Sequence, residues 1–197
     1  MTEAVDTRAR AATGPAAAAA GPSVASMFRL ASRVHADKPA LLGQVTRSYA
    51  ELADRVDRLA SLLAGAGLAR GDRVAILSEN RGEYIEVMLA CAVSGLIAAC
   101  QNWRQAPAEV AHCVDLVAPA AIFRSPRHAE LYREAADSML DIRFGPDYEA
   151  RLAAATATPP AIDVHPEDGL LILYTSGTTG MPKGRWSASA RWSRARW

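Results

Sequence analysis

Lysine is nearly absent from this chain. Among its 197 residues only Lys38 and Lys183 are lysines, against 20 arginines. That skew, together with abundant alanine, is the signature expected of a GC-rich genome, and it makes Lys183 conspicuous. Cysteine is scarce as well. Cys91, Cys100 and Cys113 are too few and too scattered for a disulfide framework, and their spacing matches no zinc pattern, so buried reduced thiols are expected. An excess of one charge is missing: 22 basic residues face 21 acidic ones, which excludes a nucleic-acid binder driven by bulk charge. No apolar run is long enough to span a membrane, Val87 to Cys100 being only 14 residues. His35, His112, His128 and His165 form no cluster in sequence. There is no G-x-S-x-G elbow, and no Gly-Lys-Ser or Gly-Lys-Thr as a Walker A loop requires. What remains is the composition of a globular protein, half hydrophobic and 22% charged, in a chain long enough for one domain with tails.

Residues 1–22 read as a disordered tail, because the Ala-rich run is broken by Gly14-Pro15 and Gly21-Pro22 and offers little to bury. It lacks the Leu-rich core and adjacent arginines of an export signal, so a cytoplasmic location is expected. The domain is expected to begin near Ser23 to Met27. Ser48 and Glu51 have capping-box spacing, and Leu52, Val56, Leu59 and Leu63 recur at helical spacing until Gly65 and Gly67 stop the helix. Gly65-Ala66-Gly67 follows a helix, not a strand, and lacks a third glycine, so it is no dinucleotide loop. Further along, strands are expected at Val74–Leu77, Ala120–Phe123 and Leu170–Tyr174. The stretch Tyr84 to Cys100 reads as a buried helix running into a strand, and further helices are expected at Pro107–Leu116, His128–Leu140 and Tyr148–Ala155. Pro159-Pro160 marks a linker. Strands alternating with helices predict an α/β domain with a mostly parallel sheet flanked by helices.

The segment after Tyr174 carries the chemistry. Thr175-Ser176-Gly177-Thr178-Thr179-Gly180-Met181-Pro182-Lys183-Gly184 packs four hydroxyl residues, three glycines and one of the two lysines into ten positions. Glycines let backbone approach a ligand, converging N–H groups and hydroxyls bind anions, and a lysine supplies a mobile positive charge. Directly after a strand, this is a phosphate-cradling composition where α/β proteins bind ligands.

The run Tyr174 to Gly184 resembles the signature phosphate loop of the adenylate-forming, AMP-binding superfamily, which includes acyl-CoA synthetases and nonribosomal peptide synthetase adenylation domains. Ser48-Tyr49-Ala50-Glu51-Leu52, Gly71 to Leu77 and Asn102-Trp103-Arg104 resemble the same family, the last most like a bacterial acyl-CoA synthetase (fatty-acid–CoA ligase). The resemblance implies a ligase acting in lipid metabolism. A carboxylate would attack the α-phosphorus of Mg2+-bound ATP to give an acyl adenylate and pyrophosphate. The thiol of coenzyme A would then displace AMP. By position, Thr175, Ser176, Gly177, Thr178, Thr179, Gly180 and Lys183 would hold the β- and γ-phosphates. The resemblance offers no catalytic residue and no metal ligand within this chain, and it names as partners a small-molecule carboxylic acid, ATP and coenzyme A, with no nucleic acid and no transmembrane segment.

The resemblance covers about Met27 to Gly184. The family's adenine- and ribose-binding segments, its hinge and its small C-terminal domain are not found in these residues. Residues 23–184 are therefore expected to be the N-terminal part of an AMP-dependent synthetase/ligase domain. Residues 185–197 use four residue types and hold three of the four tryptophans. One account makes this tail a frameshifted sequence, another a basic-aromatic patch for nucleic acid or anionic membrane. Two functions stay open: an AMP-forming acyl-CoA ligase by family that is inactive as these residues alone, or a non-catalytic nucleotide-phosphate-binding fragment or pseudogene product.

Overall fold

The computed structural model describes residues 22–43, 45–132, 139–175 and 183–189. Helix α1 spans Val24–Val34, with the Ser23 hydroxyl accepting the Ser26 N–H. A small antiparallel pair, β1 Pro39–Leu41 and β2 Arg47–Ser48, leads into α2, Tyr49–Gly65. Then follow β3 Arg73–Leu77, α3 Gly82–Ser94, β4 Ile97–Cys100, α4 Pro107–Val117 and β5 Ala121–Arg124. After a 3-10 turn at Pro126–Leu131 come β6 Leu140–Arg143, α5 Pro146–Ala154, β7 Gly169–Thr175 and β8 Lys183–Ala188.

Six strands form one sheet in the order β6-β5-β3-β4-β7-β8, parallel throughout except for the antiparallel pair β7–β8. This is the expected α/β class with a mostly parallel sheet flanked by helices. Strand residues alternate between two faces. Val74, Ile76, Ala98, Ala121 and Phe123 join Leu52, Val56, Leu59 and Leu63 of α2 and Val87 and Cys91 of α3 in the main core. Ala75, Leu77 and Ile122 meet Val110 and Val114 of α4 on the opposite face. Ile97, Ala99 and Ile172 continue that second layer with Val117.

Helix α2 forms as its sequence predicts. The Ser48 hydroxyl accepts the Glu51 N–H at 3.2 Å while the Glu51 carboxylate accepts the Ser48 N–H at 2.7 Å, so the cap is reciprocal. Helix α3 is apolar on most sides because it lies between the sheet and helices α1 and α2. It ends at Gly95, whose φ of 64° is the left-handed conformation that favours glycine there.

One expected helix is corrected. Within the span His128–Leu140, the described residues give a 3-10 turn ending at Leu131, and Leu140 opens strand β6. The reason lies in Arg124. Its guanidinium donates to the carbonyls of Ala129 (2.7 Å) and Tyr132 and pairs with the Asp141 carboxylate. The Ala129 carbonyl, which a continuing helix would use, is thus occupied, and Asp141 is drawn alongside β5. Strand β6 then pairs in register, Phe123 against Ile142. Helix α1, the β1–β2 pair and strands β6 and β8 carried no sequence expectation. The strand β8 runs through Gly184 and Arg185, across the point where composition sets a tail apart. The chain stays engaged to Ser189, whose N–H donates to the Asp168 carbonyl (3.0 Å) and whose Oγ accepts the Val24 N–H (2.9 Å).

Candidate functional site

Ligands of open α/β sheets gather where parallel strands present their carboxyl ends. Here that edge carries Ser78 and Glu79 after β3, Gln101 to Arg104 after β4, Ser125 to His128 after β5, and the segment after Thr175 of β7.

Of the residues predicted to hold phosphate, Thr175 is the last of β7 and Lys183 the first of β8, and the two are register partners in the antiparallel ladder. The structure therefore brings the first and last of the predicted set together at the carboxyl end of a parallel strand. Ser176, Gly177, Thr178, Thr179 and Gly180 lie outside the described residues, as do Met181 and Pro182.

Directly beneath Thr175, the Tyr174 hydroxyl donates to the Cys113 carbonyl of α4 and accepts from Gln101 Nε2, both at 2.9 Å. Burial pushes its ionisation well above the ordinary phenol range, so Tyr174 stays neutral. Gln101 Nε2 also donates to the Ala99 carbonyl at 3.2 Å, and the Gln101 N–H donates to the Ile76 carbonyl at 2.9 Å. Sequence reasoning missed Gln101 altogether and read Tyr174 only as the end of a strand. Only Gln101's place beside Asn102-Trp103-Arg104 hinted at a role.

A second group lines the same edge. Trp103 stacks on His128 with ring centroids 4.7 Å apart, and the Arg104 guanidinium covers the Trp103 ring at 4.1 Å. His128 Nε2 stands 3.4 Å from Glu79 Oε2. Burial raises the Glu79 carboxyl, but the neighbouring Ser125 hydroxyl, the backbone, His128 and Arg81 outweigh it and hold it below the ordinary carboxylate range. The four histidines remain scattered, and among the described residues no group of three or more His, Cys, Asp or Glu is gathered to hold a metal. The three cysteines are free; Cys91 and Cys113 are buried and Cys100 partly so. No helix among the described residues is long and apolar enough to cross a membrane.

The sheet is mostly parallel, of the α/β class, and a Ser/Thr/Gly-rich stretch of sequence follows its strand β7. The family model of the AMP-binding enzymes matches residues 28–185, and the chain belongs to that family. It is 38% identical over 143 residues to a feruloyl-CoA synthase of Amycolatopsis sp, covering 72% of this chain and 28% of that protein. It is 34% identical over 146 residues to a long-chain-fatty-acid–CoA ligase of Mycobacterium tuberculosis, covering 71% of this chain and 29% of that protein. Among solved structures, the inhibitor-bound N-terminal domain of FACL13 from Mycobacterium tuberculosis superposes with a TM-score of 0.78 at 29% identity, covering 86% of this chain and 45% of that one. The chain thus spans less than a third of the length of these two curated relatives.

Proposed function

We propose that residues 23–184 form the N-terminal part of the AMP-binding domain of an AMP-forming acid–thiol ligase, one that joins a carboxylic acid to coenzyme A through an acyl adenylate at the expense of ATP. The observation that carries this reading is the ladder pair Thr175–Lys183, which sets the two ends of the Ser/Thr/Gly segment side by side at the carboxyl edge of β7. The segment's composition suits the β- and γ-phosphates. The leaving pyrophosphate gains charge in the transition state, and preorganised donors with a lysine stabilise that charge. Thr175, Ser176, Gly177, Thr178, Thr179, Gly180 and Lys183 are proposed to hold those phosphates. Magnesium enters with ATP, coordinated by the phosphates themselves. Family membership supports ATP, coenzyme A and a carboxylic acid as substrates.

A second reading rests on the Thr175–Lys183 pair alone: a nucleotide-phosphate-binding module without catalysis of its own. A charge clamp cannot by itself hold a carboxylate in line with the α-phosphorus, and alignment and charge stabilisation must act together. Carboxylate-dependent exchange of labelled pyrophosphate into ATP separates the two. A polypeptide of these 197 residues is expected to bind ATP and to catalyse no exchange. Exchange that depends on a fatty or aromatic acid and disappears in Lys183→Ala would make these residues a complete catalyst.

A further inference from the structure

We propose that the Tyr174 hydroxyl, held between Gln101 and the Cys113 carbonyl, is a positioning group for the Thr175–Lys183 pair, an inference that rests on the phosphate-site reading above. For packing alone a phenylalanine would serve at position 174. The ring joins the cluster of Ile97, Ala99, Val117 and Ile172 between sheet and α4. The hydroxyl does something else. It has one proton, given to Cys113, and it accepts one N–H, from Gln101, so it ties three separate elements together: β7, the end of β4 and the middle of α4.

Gln101 has little freedom to do otherwise. Turning its amide over would set Oε1 against the Ala99 carbonyl, two acceptors face to face, so the nitrogen must lie where it donates to both Ala99 and Tyr174. The remaining atom, Oε1, is buried and has no hydrogen-bond partner among the described residues. Gln101 itself is only 4% exposed. An unsatisfied buried carbonyl is unfavourable, and an apolar side chain at 101 would avoid it. The value of this glutamine therefore lies in its two donors.

The tie falls one rung below the candidate site. Tyr174 is paired across the ladder with Gly184, and the next rung is Thr175 with Lys183. The Tyr174 ring lies over Gly184, its Cε1 3.6 Å from where a Cβ would stand, with Leu116 of α4 3.7 Å from the same point. Fixing the phenol thus fixes both strands where the chain leaves the sheet and where it returns. Small displacements of binding groups have large effects on affinity for a geometrically demanding anion, so a tie at this rung acts through its neighbours without touching the ligand.

The test is calorimetric titration of the 197-residue chain with ATP and, separately, with inorganic tripolyphosphate. Tyr174→Phe is expected to weaken both about tenfold. The double variant Tyr174→Phe/Gln101→Leu removes the stranded amide as well. Its melting temperature should return toward that of the parent while its affinity stays low, which a merely structural role would not produce. Tyr148→Phe, on the main-core side of the sheet, should lower the melting temperature and leave both affinities unchanged. Affinity in Tyr174→Phe within twofold of the parent, or affinity that follows melting temperature across all three variants, overturns the proposal. A parent chain that binds neither probe overturns the phosphate-site reading and this inference with it. A parent that binds both, with Tyr174→Phe unaffected, overturns this inference alone.

Discussion

Replacing Glu86 by glutamine removes one buried charge and leaves the volume unchanged. Glu86 sits in the apolar helix α3 with no exposed surface. Its Oε1 accepts Arg55 Nε at 2.7 Å, and Oε2 accepts Arg55 Nη2 at 3.0 Å and the Tyr148 hydroxyl at 2.6 Å. Arg47 Nε stands 3.3 Å from Oε1. One carboxylate thus joins α2, α3, α5 and β2, the layer on which the main face of the sheet rests. A glutamine can offer only one oxygen, and each carboxylate oxygen accepts an Arg55 N–H, so in either orientation its amide nitrogen faces an Arg55 donor, donor against donor. Breaking a buried ion pair from one side costs about 3–5 kcal/mol. Arg55 keeps two hydrogen bonds to Glu149, at 2.7 and 2.9 Å, which places the expected loss near the lower end, about 3 kcal/mol. For a domain of this size 1 kcal/mol moves the melting temperature by about 2–4 °C, so a fall of roughly 6–12 °C is expected. Tyr148→Phe deletes one hydrogen bond to a charged group and keeps the ring's edge contacts with Phe123 and Phe144, so about half that loss follows. Thermal and urea unfolding followed by circular dichroism measure both. A Glu86→Gln variant within about 1 kcal/mol of the parent would mean that the buried carboxylate contributes no more than a surface pair, contrary to this expectation.

Three further outcomes follow from the same structure. Acidification should lower the melting temperature. The backbone N–H of Ser48 and its hydroxyl hold Glu51 below the ordinary 4.5, Arg55 does the same for Glu149, and at Glu83 burial raises the carboxyl but Arg81 outweighs it. Stabilisation by such groups is complete above 4.5 and is lost as pH falls through their lower folded values, so the loss should appear below about pH 4.5 and not between pH 6 and 8; an unchanged melting temperature from pH 5 to pH 3 contradicts this. The thiols should resist a disulfide reagent at pH 7 in the folded chain and react as three equivalents in denaturant, since burial pushes Cys113 up to about 11 and raises Cys91 and Cys100 as well; rapid labelling of all three in the folded chain contradicts it. Leu59→Ala and Val56→Ala, both at positions without exposed surface, should lose about 2–5 kcal/mol and about 1–3 kcal/mol respectively, read by urea unfolding, and a loss under 0.5 kcal/mol at either site contradicts the core assignment.

Local signals made much of the fold legible. The capping box at Ser48 and Glu51 and the 3.6-residue spacing of Leu52 to Leu63 identify α2, and short apolar runs identify β3, β5 and β7. Strand β6 was not legible, because Leu140-Asp141-Ile142-Arg143 becomes a strand through Arg124, 17 residues away from Asp141, and no local pattern records that. Helix α1 was legible in principle, since Val24, Met27, Phe28, Ala31 and Val34 recur at helical spacing after the Ser23 cap, and it was passed over. At the candidate site the Ser/Thr/Gly composition and Lys183 were readable, being contiguous. The pairing of Thr175 with Lys183 was not, since it depends on the chain reversing into β8, and the alternation Arg185-Trp186-Ser187-Ala188 is too short and too weakly apolar to mark that strand by itself. Gln101 and Tyr174 are 73 residues apart and meet only through the order β4-β7 in the sheet.

The segment between β7 and β8 is proposed to bind the phosphates of a nucleotide. Titration of the 197-residue chain with ATP in the presence and absence of inorganic tripolyphosphate, repeated with Lys183→Ala, tests it most directly. Saturable ATP binding that tripolyphosphate displaces is expected, weakened about tenfold or more by Lys183→Ala without a change in melting temperature. ATP binding that tripolyphosphate fails to displace, affinity unchanged in Lys183→Ala, or no binding at all would contradict it.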